Sequence, residues 1–81
     1  MPKIPRDISG RELVKLLSKY GYTFDRECGS HIRLISSYKN KEHKITIPDH
    51  KSIKIGTLNN ILKDIAEYLE IDKNSLLSAL F

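Results

Sequence analysis

Apolar positions along the chain first follow a helical period, then alternate, then return to the helical period. Leu13, Leu16, Leu17 and Tyr20 recur at i, i+3, i+4 and i+7, one stripe of a helix. Ser9-Gly10-Arg11-Glu12 has the S-x-x-E spacing of a capping box, and Gly21 suits the residue past a helix end. The spacing predicts a helix over about 9–20. In "YTFDRE", Tyr22 and Phe24 alternate with Thr23 and Asp25, a half-buried strand, and Cys28-Gly29-Ser30 makes the next turn. "HIRLIS" puts Ile32 and Leu34 on one face and His31 and Arg33 on the other. "SYKNKE" is a polar hairpin loop. "HKITIP" is a third strand, with Ile45 and Ile47 opposed to Lys44 and Thr46, and Pro48 ends it. After the connecting loop "DHKSIKI", Leu58, Ile61, Leu62, Ile65 and Leu69 form a second helical stripe. Asp72 caps a short last helix that packs down Leu76, Leu77 and Leu80. Pro2 and Pro5 disfavour helix at the start, so 1–8 is expected as an extended arm and 72–81 as a helical tail. No internal repeat, linker or low-complexity segment interrupts this order.

Two one-sided helices and three alternating strands imply an α+β fold of order α-β-β-β-α with a short C-terminal helix. The apolar faces are all buried if the three strands form an antiparallel sheet and both helices cover the same face of it. The other face is then open. By parity it carries His31, Arg33, Lys44 and Thr46, with Ile35 as a partly exposed apolar neighbour.

The 81 residues are expected as a single domain. Such a domain buries a modest core and leaves no room for a deep cofactor cleft, so no cofactor is expected and chemistry belongs on a surface. Hydrophobic content of 40% and charged content of 30% suit a soluble globular chain. No apolar run approaches the ~20 residues of a membrane span, and "MPKIPRDISG" has no signal-peptide core. The lone Cys28 cannot form an internal disulfide, which fits a reducing, cytoplasmic location, and it is expected as an inert turn residue. Three isolated histidines and dispersed acids lack metal-ligand spacing, so no metal is expected.

The net charge of +4 is unevenly placed. Residues 26–54 hold seven Lys and Arg against three acids, together with all three histidines, whereas 57–81 are net acidic. A basic middle facing one way is the footprint of a polyanion-binding surface; a solvated lysine-rich face is the plainer reading of the same charge.

Three pieces of the chain, in order, resemble the HicA (YcfA-like) mRNA interferase toxin family of HicA/HicB toxin–antitoxin systems: "ISGRELVKLLSKYGY", "GSHIRL" and "ITIPDHKSIKIGTLNNILKDI". The resemblance spans about residues 8–69, and "IDKNSLLSAL" is also similar to family C-termini. It implies a fold like that of double-stranded-RNA-binding domains, an endoribonuclease that cleaves mRNA, and a HicB-type antitoxin as partner. The family's catalytic histidine, in G-S-H, falls on His31. The chain departs from the common pattern at Cys28, at Ile32 and in the short 51–53 loop.

RNA carries its own nucleophile, the 2′-OH. A metal-free nuclease needs a base for that proton, positive charge for the crowded phosphorane, and an acid for the leaving oxygen. His31 is the candidate base, because an imidazole titrates near neutral pH. Gly29 and Ser30 let backbone N–H groups approach a phosphate. Arg33 and Lys44 are candidate phosphate binders, and His50 is a second acid/base or phosphate-contact candidate. Each residue also has a plain role: His31 as a strand-edge polar group, His50 as a loop hydrogen-bonder, His43 as a solvated strand start, Arg33 and Lys44 as guards against edge aggregation. A non-catalytic RNA-binding module, or a domain that docks an acidic protein, fits the same face.

Overall fold

The computed structural model describes residue 4 and residues 7–81. The expected arm at 1–8 therefore lies largely outside the described residues; of its end, Ile8 is buried and its carbonyl accepts from the Ile53 N–H at 2.8 Å. Helix α1 (Gly10–Leu17) starts on a Ser9 cap whose Oγ accepts from the Glu12 N–H at 3.0 Å. It tightens into a 3₁₀ turn over Ser18–Tyr20 and stops at Gly21, whose φ of 78° is the left-handed geometry that glycine adopts without a Cβ penalty. Strands β1 (Thr23–Cys28), β2 (His31–Ser36) and β3 (His43–Pro48) come next, then α2 (Ile55–Leu69) and α3 (Lys73–Leu80). Asp72 caps α3 by accepting from the Asn74 N–H at 3.1 Å.

The sheet is antiparallel in the order β1-β2-β3. Its inner face contributes Ile32, Leu34, Ile45 and Ile47 to one core with Leu13 and Leu17 of α1, Leu58, Leu62 and Ile65 of α2, and Leu76, Leu77 and Leu80 of α3. The fold is α+β and double-stranded-RNA-binding-domain-like: both long helices lie on one face and the other is bare.

β1 departs from expectation. All six of its residues are exposed, Phe24 at 59%, while Tyr22 sits just ahead of the strand and is buried to 1%. The helices pack chiefly over β3, so the inner face of the β1 edge overhangs the core. The register also slips between Phe24 and Arg26, a β-bulge. Before it Phe24 pairs with Leu34 on the inner face; after it Arg26 pairs with Arg33 and Cys28 with His31 on the outer face.

Candidate nucleic-acid interface

His31 is the first residue of β2, set there by a two-residue turn. Gly29 has φ 60°, the positive value that the first central position of a II′ hairpin turn requires. With Ile32 and Leu34 buried, alternation sends His31 and Arg33 outward, and both are exposed. No protein group hydrogen-bonds the His31 ring among the described residues. Its ring nitrogens therefore remain available to a ligand.

The cross-strand register decides what stands beside it. His31 lies between Cys28 on β1 and Pro48 on β3. Arg33 lies in the next outward row, between Arg26 and Thr46. Lys44 shares the face but pairs with Ile35, four residues from His31 and about 13 Å along the strand at ~3.3 Å per residue. Arg33, Lys44 and Thr46 also line a groove of about 330 Å³ at the free β3 edge, closed on its far side by Asn60, Ile61 and Asp64 of α2.

His50 is held at the same end of the sheet as His31 by backbone stitching. The Asp49 N–H donates to the Ser30 carbonyl at 2.7 Å, tying the loop after β3 to the β1–β2 turn. The Gly10 N–H donates to the His50 carbonyl at 3.0 Å. Arg11 grips Asp49 through Nε to Oδ1 at 3.2 Å and Nη2 to Oδ2 at 3.1 Å. That hydrogen bond, with the carboxylate charge, raises the Arg11 pKa further above its ordinary value. Gly29, Ser30, His31 and the His50 backbone are thus gathered at one end of the sheet, and Arg33 and Lys44 extend the surface along it.

His43 is not a solvated strand start. Its side chain is 17% exposed, with Nδ1 2.6 Å from the Tyr22 hydroxyl and Nε2 3.3 Å from Oδ2 of Asp64. The ring stacks on Tyr68 at 4.5 Å between centroids. Burial, then the nearby Tyr68 and Asp64, push the Tyr22 phenol well above its ordinary pKa. The signal lies in the parity: His43 shares the odd positions of Ile45 and Ile47, which face the core. The cluster clamps β3 to α2 and lies away from the His31 end. Arg26 escapes sequence reasoning as a member of the outer face for a different reason. Strict alternation puts it with Phe24, and nothing in "FDREC" announces a bulge.

Among the described residues, no three His, Cys, Asp or Glu side chains gather where they could share a metal ion, and no helix is long and apolar enough to cross a membrane. The family model described as the HicA toxin of bacterial toxin–antitoxin systems matches residues 10–66 of the chain. No curated protein and no solved structure matches it.

Proposed function

Because the chain belongs to the HicA toxin family of bacterial toxin–antitoxin systems, we propose that it is an endoribonuclease that cleaves mRNA in the cytoplasm by metal-independent transesterification. His31 takes the proton from the 2′-OH as general base. The scissile phosphate is received by the Gly29–Ser30 turn beside His31, with Arg33 and then Lys44 binding phosphates further along the sheet. His50 stands at the same end of the sheet to protonate the leaving oxygen. The observation that carries this reading is the setting of His31: an exposed imidazole, free of protein hydrogen bonds among the described residues, on the cation-bearing face of the sheet. A base must be reachable by substrate and must not be spent on the fold, and His31 meets both conditions whereas His43 meets neither.

The antitoxin partner of this reading is a HicB-type protein that silences the toxin by covering the same face. Recognition of RNA would be largely electrostatic and salt-sensitive.

The test is cleavage of a labelled single-stranded RNA in EDTA by the wild type and by His31→Ala. Loss of a general base typically lowers the rate ~10²–10⁴-fold. Cleavage by the wild type that collapses in a folded, RNA-binding His31→Ala protein supports the reading. Equal cleavage by both overturns His31 as the base, and cleavage by neither overturns the nuclease in favour of an RNA-binding module on the same fold.

A further inference from the structure

The bulge in β1 does something costly. By turning Arg26 outward it sets two arginines directly opposite each other in the register, Arg26 and Arg33. Like charges facing each other across an antiparallel pair are destabilising. Both residues are exposed, and neither enters an ion pair among the described residues. Yet carboxylates are close in sequence: Asp25 and Glu27 flank Arg26. The bulge sends Glu27 to the inner side, opposite Ile32, where with Phe24 it lines a separate groove against α1.

We infer that Arg26 and Arg33 form a two-guanidinium phosphate clamp for single-stranded RNA, one row along the sheet from His31. The inference rests on the RNA-cleaving reading of this face and adds to it a residue and a direction. Rows on one face of a strand repeat every two residues, so the clamp lies about 7 Å from the His31 row. Adjacent strands are about 4.8 Å apart, so two long guanidinium side chains rooted opposite each other can reach one phosphate, Arg33 turning to it from the β3-edge groove that it lines in the free protein. A phosphate between them removes the repulsion that the empty face carries, and planar guanidiniums match phosphate oxygens in pairs. The clamp therefore positions the strand, with a phosphate other than the scissile one, and His31 acts next to it. Arg26 is a positioning residue in this scheme.

The probe is a single-stranded RNA oligonucleotide with every 2′-OH methylated, which binds but cannot be cleaved. Affinity is measured against salt for the wild type, Arg26→Gln, Arg26→Lys and His31→Ala, with thermal unfolding of each free protein. Arg26→Gln is expected to bind roughly five- to tenfold more weakly and to reduce the salt slope by about 0.7, the value of one single-strand phosphate contact. Arg26→Lys recovers the slope but only part of the affinity, since charge returns without the planar fork. The free Arg26→Gln protein unfolds at the same temperature as wild type or higher, because a repulsion has been removed. Unchanged affinity and slope in Arg26→Gln overturn the clamp and leave the arginine pair to an acidic protein partner. A lowered unfolding temperature also overturns it, because Arg26 would then be serving the fold. Normal binding by His31→Ala keeps the two readings separate: loss of cleavage there with intact binding supports both. A wild type that never cleaves, but whose binding depends on Arg26, refutes the nuclease and supports the clamp.

Discussion

Gly10→Ala tests the stitching that holds the His31 end together. On helix propensity alone the change should stabilise the protein, since glycine within a helix costs about 0.5–1 kcal/mol relative to alanine. The structure predicts the opposite sign. A Cβ on Gly10 would stand 2.1 Å from the Pro48 carbonyl oxygen, 3.1 Å from its carbon and 3.2 Å from Cα of Asp49. All three are backbone atoms, so no side chain can swing aside. Relief requires α1 to retreat from the end of β3 by on the order of 1 Å, which strains the 3.0 Å bond from the Gly10 N–H to the His50 carbonyl. Overpacking of this kind typically costs about 1–3 kcal/mol, occasionally more. Set against the propensity gain, the net loss centres on about 1 kcal/mol, or roughly 4–8 °C in unfolding temperature for a domain of this size. Gly56 is the control. It lies in the first turn of α2, and a Cβ added there would have nothing within 4 Å, so Gly56→Ala should be neutral or slightly stabilising. Urea and thermal unfolding followed by circular dichroism read both. Because Asp49 and His50 move with the helix, RNA cleavage by Gly10→Ala should also fall below wild type under conditions where it remains folded. A Gly10→Ala protein as stable as Gly56→Ala would refute the argument that close backbone contact sets this corner.

The His43 cluster yields two more expectations. Replacing His43 with Ala strands the buried Tyr22 hydroxyl and should cost about 1–3 kcal/mol in urea unfolding while leaving the catalytic rate of the folded protein unchanged; a rate loss on the scale of His31→Ala would show that the wrong histidine has been assigned. The Tyr22 pKa is raised in the folded protein, so the stability it confers is complete below the ordinary tyrosine pKa of about 10 and is lost as pH rises beyond it. Stability should therefore fall more steeply above pH 10 in the wild type than in Tyr22→Phe, measured as urea midpoints; parallel curves would show that the phenol is not held neutral by burial.

Much of the molecule is legible in the order of its residues. The helical stripes of Leu13 and Leu17, and of Leu58, Leu62 and Ile65, mark the surfaces that become the core, because an apolar stripe must be covered. Alternation in "HIRLIS" assigns His31 and Arg33 to the outer face, because successive side chains on a strand point opposite ways. Ser9 and Gly21 mark the start of the helix and the end of its final turn through local backbone chemistry. All of these are short-range consequences of residue type and spacing, so they can be read without knowing where any other segment lies.

Other features depend on interactions between distant segments. Whether Phe24 is covered depends on where the helices settle over the sheet, and they settle over β3. Whether Lys44 stands beside His31 depends on register, which places Pro48 there instead. Arg26 reaches the outer face through a single extra residue in one strand, which reverses the parity of the positions after it. His43 is drawn inward because Tyr22, Asp64 and Tyr68, from distant parts of the chain, offer its ring two polar partners and a stacking surface. Local pattern sets which way a side chain points from its own backbone; packing between elements decides what it meets.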